Sequence, residues 1–247
     1  MSDRGWALVT GGGRRLGRIL ALGAAEAGYD VLVHARRRED ASETVDLIRG
    51  LGRQARAVGG DLADANIPTR LIAASPGPLT LLVNSASLFE SDEIGSLTID
   101  GLDAAYAANL RAPLLLAQAF AAALPDDRHG LIVNLLDQRV WRPNPQFFSY
   151  TVTKSALWSA TRTLAQALAP RIRVNAIGPG PTLASIHQSA EVFAAEAAAV
   201  PLGAAVDPAE IGQALRYLID ARSVTGQMIA VDGGQHLAWR TPDIING

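Results

Sequence analysis

The chain has 247 residues and no cysteine, which excludes disulfides and thiolate metal sites together. Net charge is nearly absent: 22 Lys and Arg stand against 24 Asp and Glu, so no global field draws the chain to nucleic acid or a membrane surface. No stretch approaches the roughly 20 apolar residues of a membrane span. The N-terminus runs directly into Trp6-Ala-Leu-Val-Thr10 without a signal-like apolar region, and the expected location is the cytoplasm. Linker-like low complexity and repeats of fixed period are missing as well, so a single domain over 1–247 is expected. The four histidines (His34, His129, His187 and His236) are scattered, which argues against a metal site. What is present, 49% apolar and 19% charged residues, is the composition of a packed globular protein.

Short β-like runs alternate with longer helical ones. Strands are predicted at Trp6–Thr10, Asp30–Ala35, 54–59, Leu79–Asn84, 131–136, 172–177 and Met228–Val231. Helices are predicted at 17–27, 39–51, 97–124, Phe148–Leu168 and 208–221. Most of the strand runs are near-continuously apolar, as parallel strands covered on both faces must be. The alternation implies an α/β fold: a doubly wound parallel sheet of about seven strands with helices on both faces. Segment 178–206 is the least regular, rich in Ala, Pro and Ser, with a helical stretch near 191–199 bounded by Pro181 and Pro201. Its place beside the last strands reads as a substrate loop or lid, or as a plain Ala-rich surface helix.

The first strand ends in Gly11-Gly-Gly-Arg-Arg-Leu-Gly17 and then becomes a helix. Glycines let backbone N–H groups approach a pyrophosphate, and the helix N-terminus favours its charge. The second strand ends in Ala35-Arg36-Arg37-Arg38, with no acid before Glu39. An acid there would hold ribose hydroxyls, whereas a guanidinium pairs with a 2′-phosphate. Arg14 and Arg15 add to the same field. Three cations at a helix start are badly placed unless an anion sits nearby, so the pattern favours NADP(H) over NAD.

Tyr150 and Lys154 lie four apart in a helical pattern and so share one face. A lysine beside a tyrosine is expected to lower the phenol's pKa towards working pH, where a general acid or base performs best. The spacing alone is common. Its neighbourhood is not: Asp61-Leu62 follows the third strand, Asn84-Ser-Ala-Ser87 closes the fourth, and Asn109 lies in the next helix. Asp137 follows the fifth strand, Gly178-Pro-Gly-Pro181 closes the sixth, and Asp232-Gly-Gly234 follows the last.

This ordered set resembles the short-chain dehydrogenase/reductase family over nearly the whole chain, which implies a Rossmann-like domain. By that resemblance Tyr150 is the proton donor, Lys154 binds the nicotinamide ribose and tunes Tyr150, and Asn109 supports a proton-relay water. Cofactor contacts are implied at Gly11, Arg14, Arg15, Leu16, Gly17, Arg36, Arg37, Asp61, Leu62, Asn84, Ser85, Ala86, Lys154, Pro179 and Gly180. A homotetramer is implied too, with Trp239 and the tail to Gly247 packing on a neighbouring subunit.

Two departures narrow the resemblance. The family's glycine turn reads Thr-Gly-x-x-x-Gly-x-Gly, and its middle glycine is here Arg15. The serine usual before the Tyr is here Asp137. Both resemble the pteridine reductase branch, including bacterial dihydromonapterin reductases, as does Phe89 soon after the fourth strand. The implied substrate is a dihydropterin, dihydromonapterin or dihydrofolate, contacted by Arg15, Ser87, Phe89, Asp137 and Tyr150. A flat pterin would stack between Phe89 and the nicotinamide. Asp137 would accept from pterin N–H groups or hold a proton for a ring nitrogen. Each residue has a plainer role as well: Phe89 as cover for the sheet end, Arg15 as a phosphate ligand only, Trp141 as loop packing. The alternatives are a carbonyl reductase of the same family and a non-catalytic NADP(H)-binding sensor.

Overall fold

The computed structural model describes residues 4–239. The tail expected to pack on a neighbouring subunit lies beyond them, apart from Trp239, which is exposed. Seven parallel strands form one sheet in the order β3-β2-β1-β4-β5-β6-β7. They are β1 (Trp6–Thr10), β2 (Asp30–Ala35), β3 (Ala55–Gly59), β4 (Leu79–Asn84), β5 (Gly130–Leu135), β6 (Ile172–Pro179) and β7 (Met228–Val231). Side chains alternate between the faces, and both faces are covered. Ala7, Val9, Val31, Val33, Leu81 and Val83 pack with α1 (Arg15–Glu26), α2 (Ser42–Gly50) and α8 (Pro208–Asp220). Leu8, Leu32, Leu82, Ile132 and Val174 pack with α3 (Ile67–Ala73), α5 (Ala112–Ala123) and α6 (Phe148–Leu168). Two covered faces are why the strands read as unbroken apolar runs.

Strand order reverses between β1 and β4, where Thr10 pairs with Asn84 at the carboxyl ends. In an open α/β sheet that point leaves a crevice above the strand ends, which is where ligands sit. The Gly-rich turn, the 85–98 segment after β4, and Asp137 after β5 all open onto this edge.

Several elements differ from the sequence expectation. The predicted helix 97–124 is three pieces: α4 (Ile99–Tyr106), a π-helical turn at Ala107–Arg111, and α5. Pro113 has no N–H to give the Asn109 carbonyl four residues earlier, so the ordinary ladder cannot continue there. The predicted helix 39–51 starts as a 3-10 turn, Arg38–Ala41, before α2. The seven-residue α3 had no predicted counterpart; it is too short to show a helical period, although Pro68 in its first turn is a legitimate start signal. β6 runs two residues further than predicted because Pro179 pairs with Val231. Segment 178–206 contains α7 (Ala190–Ala199), N-capped by Ser189. Among the described residues no helix is long and apolar enough to cross a membrane.

Candidate active site

The turn after β1 is built by close approach. A Cβ on Gly17 would lie 2.0 Å from the Gly11 carbonyl oxygen, and one on Gly13 would lie 2.3 Å from that of Asp40. Gly11 itself has φ +64 and backs onto Ala86 of the β4 loop. Thr10 Oγ1 fastens the two loops together by accepting from the N–H groups of Ser85 (3.0 Å) and Ala86 (3.1 Å). The first turn of α1 has no capping side chain and no acid, which leaves its N–H donors for an anion.

Arg15, which replaces a glycine of the usual turn, keeps a glycine-like backbone at φ 52. A side chain there costs on the order of 1–3 kcal/mol. Its guanidinium donates to the carbonyls of Leu183 (3.2 Å) and Ala184 (2.8 Å), strapping the turn to the segment after β6.

Arg36 is largely exposed and only loosely paired with Asp61, at 3.8 Å. Arg37 is held by Asp40 at 2.7 Å. Leu62, Ser85 and Asn84 are buried. Asn84 donates to Asn134 Oδ1 (2.8 Å), while its own buried Oδ1 has no hydrogen-bond partner among the described residues. Gly180 lies against Asp232, its N–H donating to the Val231 carbonyl at 3.0 Å. A glycine cradle, an orphaned amide oxygen and an exposed arginine at the end of β2 together fit a dinucleotide with a 2′-phosphate.

His34, dismissed on sequence as one of four scattered histidines, belongs to this cleft. Its Nδ1 accepts from Gly11 N–H (3.3 Å), so the ring proton sits on Nε2, which donates to the Gly60 carbonyl (3.0 Å). Burial lowers its pKa and keeps the ring neutral.

On α6 the side chains of Tyr150 and Lys154 are both buried on one face. The Tyr150 hydroxyl donates to Asp137 Oδ2 at 3.0 Å. Asp137 Oδ1 accepts from Arg139 N–H at 2.8 Å, capping a short 3-10 turn, Gln138–Val140. Lys154 Nζ donates to the Leu135 carbonyl at 2.6 Å and stands 5.6 Å from the Tyr150 ring centre. The expectation that Lys154 lowers the Tyr150 pKa is therefore corrected. Burial first, and then the Asp137 carboxylate, raise it well above its ordinary value. Burial also raises Asp137, and it lowers Lys154 to about 8 against the partial support of Asp137. The tyrosine is held as a phenol, its proton directed at Asp137.

Asn109 ties the β4 loop to α6. Its Oδ1 accepts from Ser87 Oγ (3.0 Å) and Leu88 N–H (2.7 Å), and its Nδ2 donates to the Leu88 carbonyl (2.9 Å) and Thr153 Oγ1 (3.2 Å). The side chain is saturated and acts as a strut between the β4 loop and α6.

Beside the phenol stands an aromatic wall. Phe89 meets Tyr150 edge-on (4.7 Å) and stacks on Phe147 (4.1 Å, 10° between planes). His187 lies about equally far from both phenylalanines, and its Nε2 is 3.0 Å from the Phe89 carbonyl oxygen. Phe89 is thus brought beside Tyr150, whereas Phe147 was missed. Phe147 had a signal, three residues before Tyr150. Trp141 packs against Trp158 and His236, and His236 is bound to Asp232 at 2.6 Å.

Residues 13–236 match the family model for enoyl-(acyl carrier protein) reductase. A crystal structure of FolM alternative dihydrofolate reductase 1 from Brucella canis, complexed with NADP, is 48% identical over 99% of both chains, with a TM-score of 0.94. An uncharacterized oxidoreductase of Mycobacterium tuberculosis is 33% identical over 92% of this chain and 90% of its own length. The 3-oxoacyl-(acyl-carrier-protein) reductase FabG of Staphylococcus aureus is 30% identical over 94% of this chain and 98% of its own.

Proposed function

This chain belongs to the short-chain dehydrogenase/reductase family, and we propose that within it the protein is an NADPH-dependent reductase of a pterin ring, of the dihydropterin, dihydromonapterin or dihydrofolate class. The observation that carries the reading is the Tyr150–Asp137 hydrogen bond of 3.0 Å beside the Phe89 wall. The Brucella neighbour supports it.

The cofactor, when bound, supplies hydride to one carbon of a ring C=N bond; the adjoining nitrogen then needs a proton. Tyr150 holds that proton until charge develops on the nitrogen, because burial and Asp137 both oppose the phenolate. Asp137 Oδ1 and Oδ2 each accept one hydrogen bond from the protein, and each carboxylate oxygen has a second lone pair. Asp137 therefore keeps capacity to receive pterin N–H or amino groups, which a ketone does not offer. Phe89, stacked on Phe147, and the Tyr150 ring give a planar substrate an aromatic surface beside the phenol. Ser87, spent as a donor on Asn109, serves substrate only as an acceptor. Lys154 and the glycine cleft hold the ribose and pyrophosphate, and Arg36 with Arg14 faces the 2′-phosphate side. Arg15 joins phosphate binding to segment 178–206, which covers the substrate as a lid. The protein acts as a homotetramer, a reading supported by Leu102, Tyr106 and Val152, left exposed where α4 packs on α6.

The rival reading, a ketoacyl reductase, is favoured by the likeness to FabG. Asp137→Ser separates them. It should lower kcat for a dihydropterin by about a hundredfold or more, in the range of a lost acid–base partner, with NADPH affinity unchanged. Full pterin turnover in Asp137→Ser would remove the carboxylate from the chemistry.

A further inference from the structure

Helix α6 begins without a cap of its own. Its N-cap residue, Phe147, is in the left-handed region (φ 53, ψ 52) and makes no side-chain capping bond. Two N–H groups of its first turn go instead to Asp92, 56 and 57 positions away. Phe148 N–H donates to the Asp92 carbonyl at 3.1 Å, and Ser149 N–H donates to Asp92 Oδ1 at 3.1 Å. Ser149 Oγ donates to Asp92 Oδ2. Tyr150 is the next residue, so Asp92 holds the turn that carries the phenol. The negative charge is also well placed at this helix end.

Asp92 lies in the irregular stretch 85–98, which brings Ser87 and Phe89 to the site. Asn109 pins that stretch at Leu88, and Asp92 pins it four residues later. Between stretch and helix lies a cavity of about 180 Å³ lined by Leu88, Asp92, Ser96, Thr98, Ser149 and Tyr150, among others. Packing does not fill that space, so the stretch is located against α6 chiefly by polar bonds.

We propose that Asp92 is a positioning residue for the reaction: it caps the Tyr150 helix from outside and sets the distance between the phenol and the Phe89 wall. This rests on Tyr150 as proton donor and not on which ring is reduced. A displacement of about 1 Å at a reacting group can cost a hundredfold in rate, so loss of the clamp appears in turnover before it appears in the fold.

The test compares Asp92→Ala and Asp92→Asn with wild type and with Glu93→Gln, a charge control in the same stretch. Kinetics are normalised to the number of NADPH-binding sites, and amide exchange is followed at Phe148 and Ser149. Asp92→Ala is expected to lower kcat tenfold or more, raise substrate KM, leave the NADPH Kd within twofold, and speed exchange at both amides. Asp92→Asn, whose amide oxygen still accepts from Ser149 N–H, should restore most of the rate. Unchanged kcat and KM per NADPH site in Asp92→Ala overturns the proposal, as does a fall in NADPH affinity that accounts for the whole loss. Exchange needs no substrate, so a clamp that exchange shows intact in wild type and broken in the variant stays separable from a wrong assignment of Tyr150.

Discussion

At Tyr150 the neighbour that governs the proton is a carboxylate, 3.0 Å away, and not the lysine one turn along the helix. Spacing placed Tyr150 and Lys154 on one face, and that was legible. Where each side chain ends was not, because the partners of Lys154 and Tyr150, Leu135 and Asp137, come from the end of β5 and just beyond it. The sign of the pH dependence follows. Lys154 has a pKa of about 8, so it is charged below that pH and loses its charge as pH rises through it. Turnover that needs the charged lysine should therefore fall on the alkaline side of about 8. Asp137 raises the Lys154 pKa, so in Asp137→Asn the same limb should move to lower pH. The residual activity of that variant, measured as kcat against pH, checks it; a limb that stays in place means another group is titrating. His34 and Asp92 belong to the same class of illegible residue. Each is an ordinary polar letter in the sequence, and its meaning lies in backbone atoms that folding brings to it from 23 to 57 positions away.

Among the elements, the β1–α1 turn was the most legible, because glycines at close approach have few substitutes. Gly17 is the extreme case, its added Cβ falling 2.0 Å from the Gly11 carbonyl oxygen. Gly17→Ala must push the turn apart, and NADPH affinity should drop at least tenfold, which is about 1.4 kcal/mol. Gly50→Ala, at the end of α2 with nothing within 4 Å of the added carbon, is the matched control. It should leave affinity unchanged and raise Tm slightly, since alanine is the better helix former by up to about 1 kcal/mol. Titration of both variants with NADPH, followed by fluorescence, compares them directly; equal losses would mean that the turn's geometry is not what binds. The least legible elements were those whose pattern is short or broken. α3 spans only Ile67–Ala73, and the helix predicted over 97–124 is interrupted where Pro113 withholds an N–H. That interruption lies at Asn109, whose side chain carries four bonds, so the irregular turn and the strut coincide.

At the scale of the molecule, the sheet order accounts for why residues from Gly11 to Gly180 share one edge. Apolar runs and strand–helix alternation made that order readable, because parallel strands with both faces covered have one strongly preferred winding. The substrate side is different. It is assembled from the 85–98 stretch, the start of α6 and the 182–189 segment, none of which has a sequence period, and Arg15 ties the last of these to the cofactor turn. On the proposed reading, the choice of ring over ketone is made there. The direct test is kcat/KM with NADPH for a 7,8-dihydropterin against a 3-ketoacyl thioester, using the same purified protein. A site that spends Asp137 on N–H groups should favour the pterin by at least about a hundredfold. Equal or better turnover of the ketoacyl substrate would contradict the account.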